Sequence, residues 1–192
     1  MTSQIELLPY VSMHTDGKPD LWRHIIMPGH RSAPTGVGEV TLRVRPDIGE
    51  DWFLTIAKGG WACSKSVLIT NREGRKIIAI CYEGLIVFGY LDDPFSFRDL
   101  QIVGCFLLEP MMDASAIVGV GYSTVGLIEG GLKVEYVEHN AFDISKVEKK
   151  DEFHIVIDSD DPILGKEYIA VEFDLNRKTA VTRNPPLMKT PQ

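Results

Sequence analysis

The sequence predicts a mainly β protein, an antiparallel β-sandwich or a stack of antiparallel sheets with an irregular N-terminal arm, and three observations carry that expectation. Val and Ile together number 34 against nine Ala, a balance that favours pleated, β-branched packing over helix. Several stretches alternate apolar and polar residues with a period of two, whereas no stretch sustains a 3.6-residue period over three turns. Turn chemistry, finally, separates the apolar runs at short intervals. The 192 residues suffice to bury a substantial core. They read as one domain, 1–182, with 1–39 as a loop-rich arm and 183–192 as an extended or mobile tail.

Along the chain, residues 9–39 are rich in Pro, Gly and His and read as an arm packed over a sheet. Val40-Thr41-Leu42-Arg43-Val44-Arg45 then alternates strictly, as does Ile169-Ala170-Val171-Glu172-Phe173-Asp174-Leu175, and both read as half-exposed strands. Leu132–Tyr136 and Phe153–Asp158 are looser examples of the same pattern. Between them, Ile77–Cys81, Leu85–Leu91, Ile102–Leu108 and Ala116–Val120 are nearly continuous apolar runs, as expected of strands covered on both faces. Only Glu83-Gly84 separates the first two runs, too short a link for a parallel crossover of about a dozen residues, so the pairing is predicted antiparallel. Asn71-Arg72-Glu73-Gly74, Tyr122-Ser123 and Glu129-Gly130-Gly131 supply further turns. A helical turn capped by Ser96 is expected at Ser96–Leu100. Similar apolar segments begin at Ile77, Ala116 and Ile155, a period of about 39 residues close to one propeller blade. A closed ring of four or more blades does not fit this length comfortably, which leaves a sandwich or a stack of propeller-blade-like hairpins.

Composition narrows the function classes. Nothing approaches an apolar run of about 18 residues, and the opening lacks a basic and then apolar leader, so a cytoplasmic protein is expected. Residues 83–175 carry 19 acidic and 6 basic side chains, net −13, while the rest of the chain carries 8 acidic and 14 basic, net +6. Nucleic acid is not an expected partner, because phosphate binding needs a concentrated basic surface. An acidic face instead attracts a basic protein, although acidic surfaces also serve plain solubility.

Side chains with chemistry are few and dispersed. Cys63, Cys81 and Cys105 are too far apart for a CxxC pair, and their odd number closes no disulfide framework, so they read as buried reduced thiols. His14, His24 and His30 form the densest histidine group but match no zinc spacing. Asp158-Ser159-Asp160-Asp161-Pro162 and Asp92-Asp93-Pro94 resemble oxygen-rich cation loops only superficially, since Pro162 breaks the EF-hand pattern. Turn initiation at Asp before Pro accounts for both. The loop Gly29–Gly38 lacks the Lys-Ser/Thr of a phosphate loop, and Gly59–Ser64 lacks the spacing of a nucleophile elbow. Trp22, Trp52 and Trp61 beside Arg23, Arg31, Lys58 and Lys65 suit either a recognition surface or indoles that anchor the arm.

Gly131-Leu132-Lys133-Val134-Glu135 and Val171-Glu172-Phe173-Asp174-Leu175 carry a resemblance. From about Ser66 to Thr182 the chain resembles an uncharacterised bacterial β-rich family in which a Gly-Leu turn opens a strand with acidic outward positions and a Phe-x-x-Asp-Leu-like strand closes the domain. The resemblance implies a shared fold and brings no activity with it. The expected function is a non-enzymatic protein-binding domain of the immunity or antitoxin type, engaging a basic partner through Glu135, Glu138, Asp158, Asp160, Asp161 and Glu172. The alternative is an enzyme or small-ligand site assembled between arm and sheet around His24, His30 and Trp22. Self-assembly through exposed strand edges is a third. The motifs name no metal, no cofactor and no catalytic residue, and they leave the oligomeric state open.

Overall fold

The computed structural model describes residues 3–7, 24–26, 39–57, 63–111, 113–139, 144–151, 154–160 and 168–183. Among these, four four-stranded sheets follow one another along the chain. The second sheet is a meander of β5 (Ser64–Thr70), β6 (Lys76–Tyr82), β7 (Leu85–Tyr90) and β8 (Arg98–Leu100), each strand antiparallel to the last. The third repeats that plan with β9 (Leu107–Pro110), β10 (Ala116–Val120), β11 (Thr124–Glu129) and β12 (Val134–Glu138). The fourth does so with β13 (Ile144–Lys149), β14 (His154–Asp160), β15 (Tyr168–Asp174) and β16 (Thr179–Arg183). The first sheet departs from it. Its order is β1 (Ile5–Leu7), β3 (Glu39–Val44), β4 (Trp52–Ala57), β2 (His24–Ile26), with β2 parallel to β4.

Among the described residues, three apolar cores join these sheets into a stack. Leu42, Val44, Trp52, Leu54 and Ile56 of the first sheet meet Ile78, Ile80 and Val87 of the second. Ile77, Ala79, Cys81 and Phe88 of the second meet Ile117 and Ile128 of the third. Val118, Val120, Val125 and Leu127 of the third meet Ile155, Ile157, Val171 and Phe173 of the fourth. This explains the uninterrupted apolar runs: odd residues of β6 enter one core and even residues the other, because successive side chains point to opposite faces. Residues 77, 116 and 155 all lie in the second strand of their sheet, so the 39-residue period is the period of the stack. Where the second and third sheets meet, Gly119 and Gly126 are cross-strand partners, and a Cβ on either would sit 3.0 Å from Leu100, whose side chain fills the space they leave.

Two local expectations are corrected. Ile102–Leu108 is not one strand: residues 101–106 form the connection between the second and third sheets, and only Leu107 and Leu108 belong to β9. The run is apolar because the connection crosses an interior, where Ile102, Cys105 and Leu108 are buried. No helical turn starts at Ser96. A 3₁₀ turn spans Pro94–Ser96, capped by Asp93, whose side chain accepts from the Phe95 N–H, and residues 98–100 are already β8. Asp93 takes the cap because Pro94 follows it at the first position of the turn. The arm is sheet-bound at two places, since β1 and β2 both fall within residues 1–39. Trp52 is buried at the junction of the first two sheets, donating Nε1–H to the Leu91 carbonyl at 3.1 Å, while Trp22 and Trp61 lie outside the described residues. No helix among the described residues is long and apolar enough to cross a membrane.

Candidate thiolate site

All three cysteines of the chain converge on one point, at the end of the core between the second and third sheets. Their sulfur atoms lie within 4.8 Å of one another, and Cys63 Sγ is 3.8 Å from Cys105 Sγ. None is in a disulfide.

Each sulfur is placed by a different piece of backbone. Cys81 is in β6, opposite Lys65 on one side and Ile86 on the other, and with Ile77 and Ala79 it belongs to the face turned toward the third sheet. Cys63 stands immediately before β5. Its carbonyl accepts from the Gly84 N–H at 3.2 Å and from the Cys81 thiol at 3.4 Å, so the tight turn at Glu83-Gly84 anchors it. That turn needs φ of +48° at Glu83 and +91° at Gly84, the paired positive values of a two-residue hairpin. Cys105 comes from the connection between the sheets. The Phe106 N–H donates to the Val120 carbonyl, the Tyr122 N–H donates to Val103, and the two rings meet edge to face at 5.0 Å. Gly104, with φ of +68° and Tyr122 close against it, permits the bend before the cysteine.

Cys81 is 0% and Cys105 6% exposed, whereas Cys63 is half-exposed, so the trio reaches water through Cys63. Lys65 pairs with Glu109 at 3.4 Å beside it. The three protons are held very unequally. Hydrogen bonding from Cys105 and then Cys81, aided by the Lys65 charge and opposed by burial, brings the Cys63 thiol down to about 3. Cys81, although its contact with Cys105 works downward, is pushed up to about 12 by its contact with Cys63 and by burial. Cys105 is raised further, first by its bond to Cys63, then by Cys81 and burial. One thiolate stabilised by two thiols is the resulting state at neutral pH.

The spacing suits a metal ion. A tetrahedral zinc–thiolate site with bonds of about 2.3 Å has sulfurs about 3.8 Å apart, the separation found between Cys63 and Cys105. Three sulfur donors are a soft set, matched to zinc or copper(I) rather than to calcium or magnesium. Three thiolates around a divalent ion leave one net negative charge, beside which Lys65 is well placed.

The residues singled out in the sequence fall elsewhere. Glu135 ion-pairs with Lys133 at 2.7 Å and with Lys178, on the side of β12 that faces the fourth sheet with Val137. Glu138 is exposed on the opposite side of the same strand. Asp158 and Glu172 are diagonal neighbours on the outer face of the fourth sheet, since Asp158 opposes Ala170 and Glu172 opposes Val156. Asp160 belongs to β14, opposite Tyr168, and Asp161 lies outside the described residues. Of the arm site, His24 is in β2 with its side chain undescribed, and His14, His30, Trp22 and the loop Gly29–Gly38 lie outside the described residues. A cavity of about 590 Å³ opens where hairpin turns of the second, third and fourth sheets meet. Asn71 Nδ2 donates to the Gly130 carbonyl at 2.8 Å, and Lys178 bridges to Glu129 at 2.9 Å. No family model and no curated protein sequence matches the chain.

Proposed function

We propose that this protein binds one soft, thiophilic metal ion of the zinc or copper(I) kind through Cys63, Cys81 and Cys105. The observation that carries the reading is the convergence of every cysteine in the chain, from positions 18 and 24 residues apart, to within 4.8 Å at their sulfurs. The ion would tie the segment entering the second sheet and its β6 strand to the connection leading into the third, so binding free energy becomes folding free energy. Free thiols of this kind suit a reducing compartment, and a cytoplasmic location follows as part of the proposal.

The experiment is a zinc titration of the reduced, full-length protein with elemental analysis and thermal melting. One zinc per chain is expected. Free zinc at 100 times its Kd stabilises by about 2.7 kcal/mol, or about 5–11 °C in a protein of this size. Cys81→Ser and Cys105→Ser are expected to abolish both effects. A wild-type protein that retains neither zinc nor copper(I) overturns the reading.

A second reading keeps the protein-binding domain, carried by the diagonal placement of Asp158 beside Glu172 on the outer face of the last sheet. A basic protein would be its partner, with association weakened by salt. Capture from lysate at low and high salt tests it. Retention of one basic protein that is lost with Asp158→Lys/Glu172→Lys supports the reading, and retention indifferent to both salt and charge reversal overturns it.

A further inference from the structure

Resting on the metal-binding reading, we infer that the site is emptied by oxidation, through a disulfide formed between Cys63 and Cys105 and not through Cys81. The backbone around each cysteine selects that pair. Cys63 and Cys105 stand at 3.8 Å, and neither belongs to a strand, Cys63 preceding β5 and Cys105 lying in the connection before β9. Closing that gap to a bond of about 2.05 Å asks only for a small movement of two connecting segments. Cys81 instead sits in an inner strand of its sheet, paired on both sides. Moving it would break ladder bonds in the most thoroughly buried strand of the second sheet, where Ile77 to Cys81 are all 0% exposed.

The order of events follows from access. Cys63 is the half-exposed member, so a hydroperoxide meets it first. The Cys63 thiolate attacks one peroxide oxygen, an S–O bond forms as the O–O bond breaks, and the departing hydroxide takes up a proton to become water. Cys105 as thiolate then attacks the Cys63 sulfur. The S–S bond forms, the S–O bond breaks, and the second hydroxide takes up a proton from solvent and leaves as water. Two sulfurs have lost two electrons to one hydroperoxide, and two of the three metal ligands are gone. Cys81 alone cannot hold the ion. A dithiol reverses the step by exchange and restores the site.

The test treats zinc-loaded full-length protein with a small excess of hydrogen peroxide, follows released zinc with a chromophoric indicator, and maps the linkage by non-reducing peptide mass spectrometry. The expected product is a Cys63–Cys105 peptide with Cys81 still open to alkylation, one zinc released per link, and zinc binding regained after dithiothreitol. Cys81→Ser is expected to form the same link in the metal-free protein, and Cys105→Ser to leave Cys63 as an oxidised monothiol. A principal link through Cys81, or zinc retained after the Cys63–Cys105 link has formed, overturns the switch while the metal reading stands. Failure to take up zinc before any oxidant is added overturns the metal reading and the switch with it.

Discussion

Zinc binding by this trio is expected to displace two protons at neutral pH, neither three nor none. The count follows from how unequally the thiols hold their protons. Cys63, brought down to about 3, is already a thiolate at pH 7, whereas Cys81, pushed up to about 12, and Cys105, raised further, are still protonated. A metal ion needs all three as thiolates, so binding expels the protons of Cys81 and Cys105 and strengthens as pH rises. Two protons correspond to about a 100-fold gain in association constant per pH unit, about 2.7 kcal/mol, across the whole of pH 6–8. Isothermal titration calorimetry in buffers of different ionisation enthalpy reads the proton count directly, and competition against a chelator of known pH dependence reads the slope. Substitution checks the assignment: Cys81→Ser and Cys105→Ser, which take up no zinc, are expected to release no protons when it is added. A wild-type count near three would show that Cys63 is an ordinary thiol in the folded protein. A count near zero would show that the ligands are not these cysteines at all.

Other predictions concern the frame that holds the site. Gly89→Ala places a Cβ 2.4 Å from the Phe97 ring, which must then leave its edge-on contact with Trp52, and an overpacking cost of about 1–3 kcal/mol is expected in urea unfolding. Combining Gly89→Ala with Phe97→Ala should cost less than the sum of the single changes, because the clash disappears with the ring, and strict additivity would refute that account. His139, buried with its Nε2 against the Gly121 carbonyl at 3.1 Å, has its pKa lowered by burial. The folded state therefore disfavours the imidazolium, so this contribution to stability is complete above about pH 6.5 and falls by up to about 1.4 kcal/mol per pH unit below it. Urea midpoints at pH 7.5 and 5 should differ less in His139→Gln than in the wild type. An unchanged difference would place the acid sensitivity elsewhere.

What the sequence made legible, and what it hid, divides along one physical line. Alternation and turn chemistry are local, so β3, β6, β7, β10, β12, β14 and β15 could be read from their own residues. A continuously apolar run was a sounder guide to layers than to strands. In β6 and β10 it meant a strand between two cores, but at Ile102–Leu108 it meant a buried crossing between sheets, and only Gly104 hinted that the chain bends there. Strands such as β1, β2 and β8, three residues each, are too short to show a period. The same limit applied more severely to the cysteines. Spacing rules for metal sites work when ligands share a hairpin or a helix, as in CxxC or H-x₃-H, because local geometry then guarantees their proximity. Here one ligand precedes a strand, one is inside the next, and one lies on the connection to another sheet. Their meeting depends on the stacking of whole sheets. One signal was nonetheless present: Cys63 and Cys105 bracket a meander whose repeat is about 39 residues, and Cys81 lies in its second strand. Given that repeat, strand β6 must run from the outside of its first turn back to the entry of β5, which brings residue 81 beside residue 63 by antiparallel pairing alone. Only Cys105 required the third sheet to be known, and it is Cys105 that turns a neighbouring pair of thiols into a three-sulfur site.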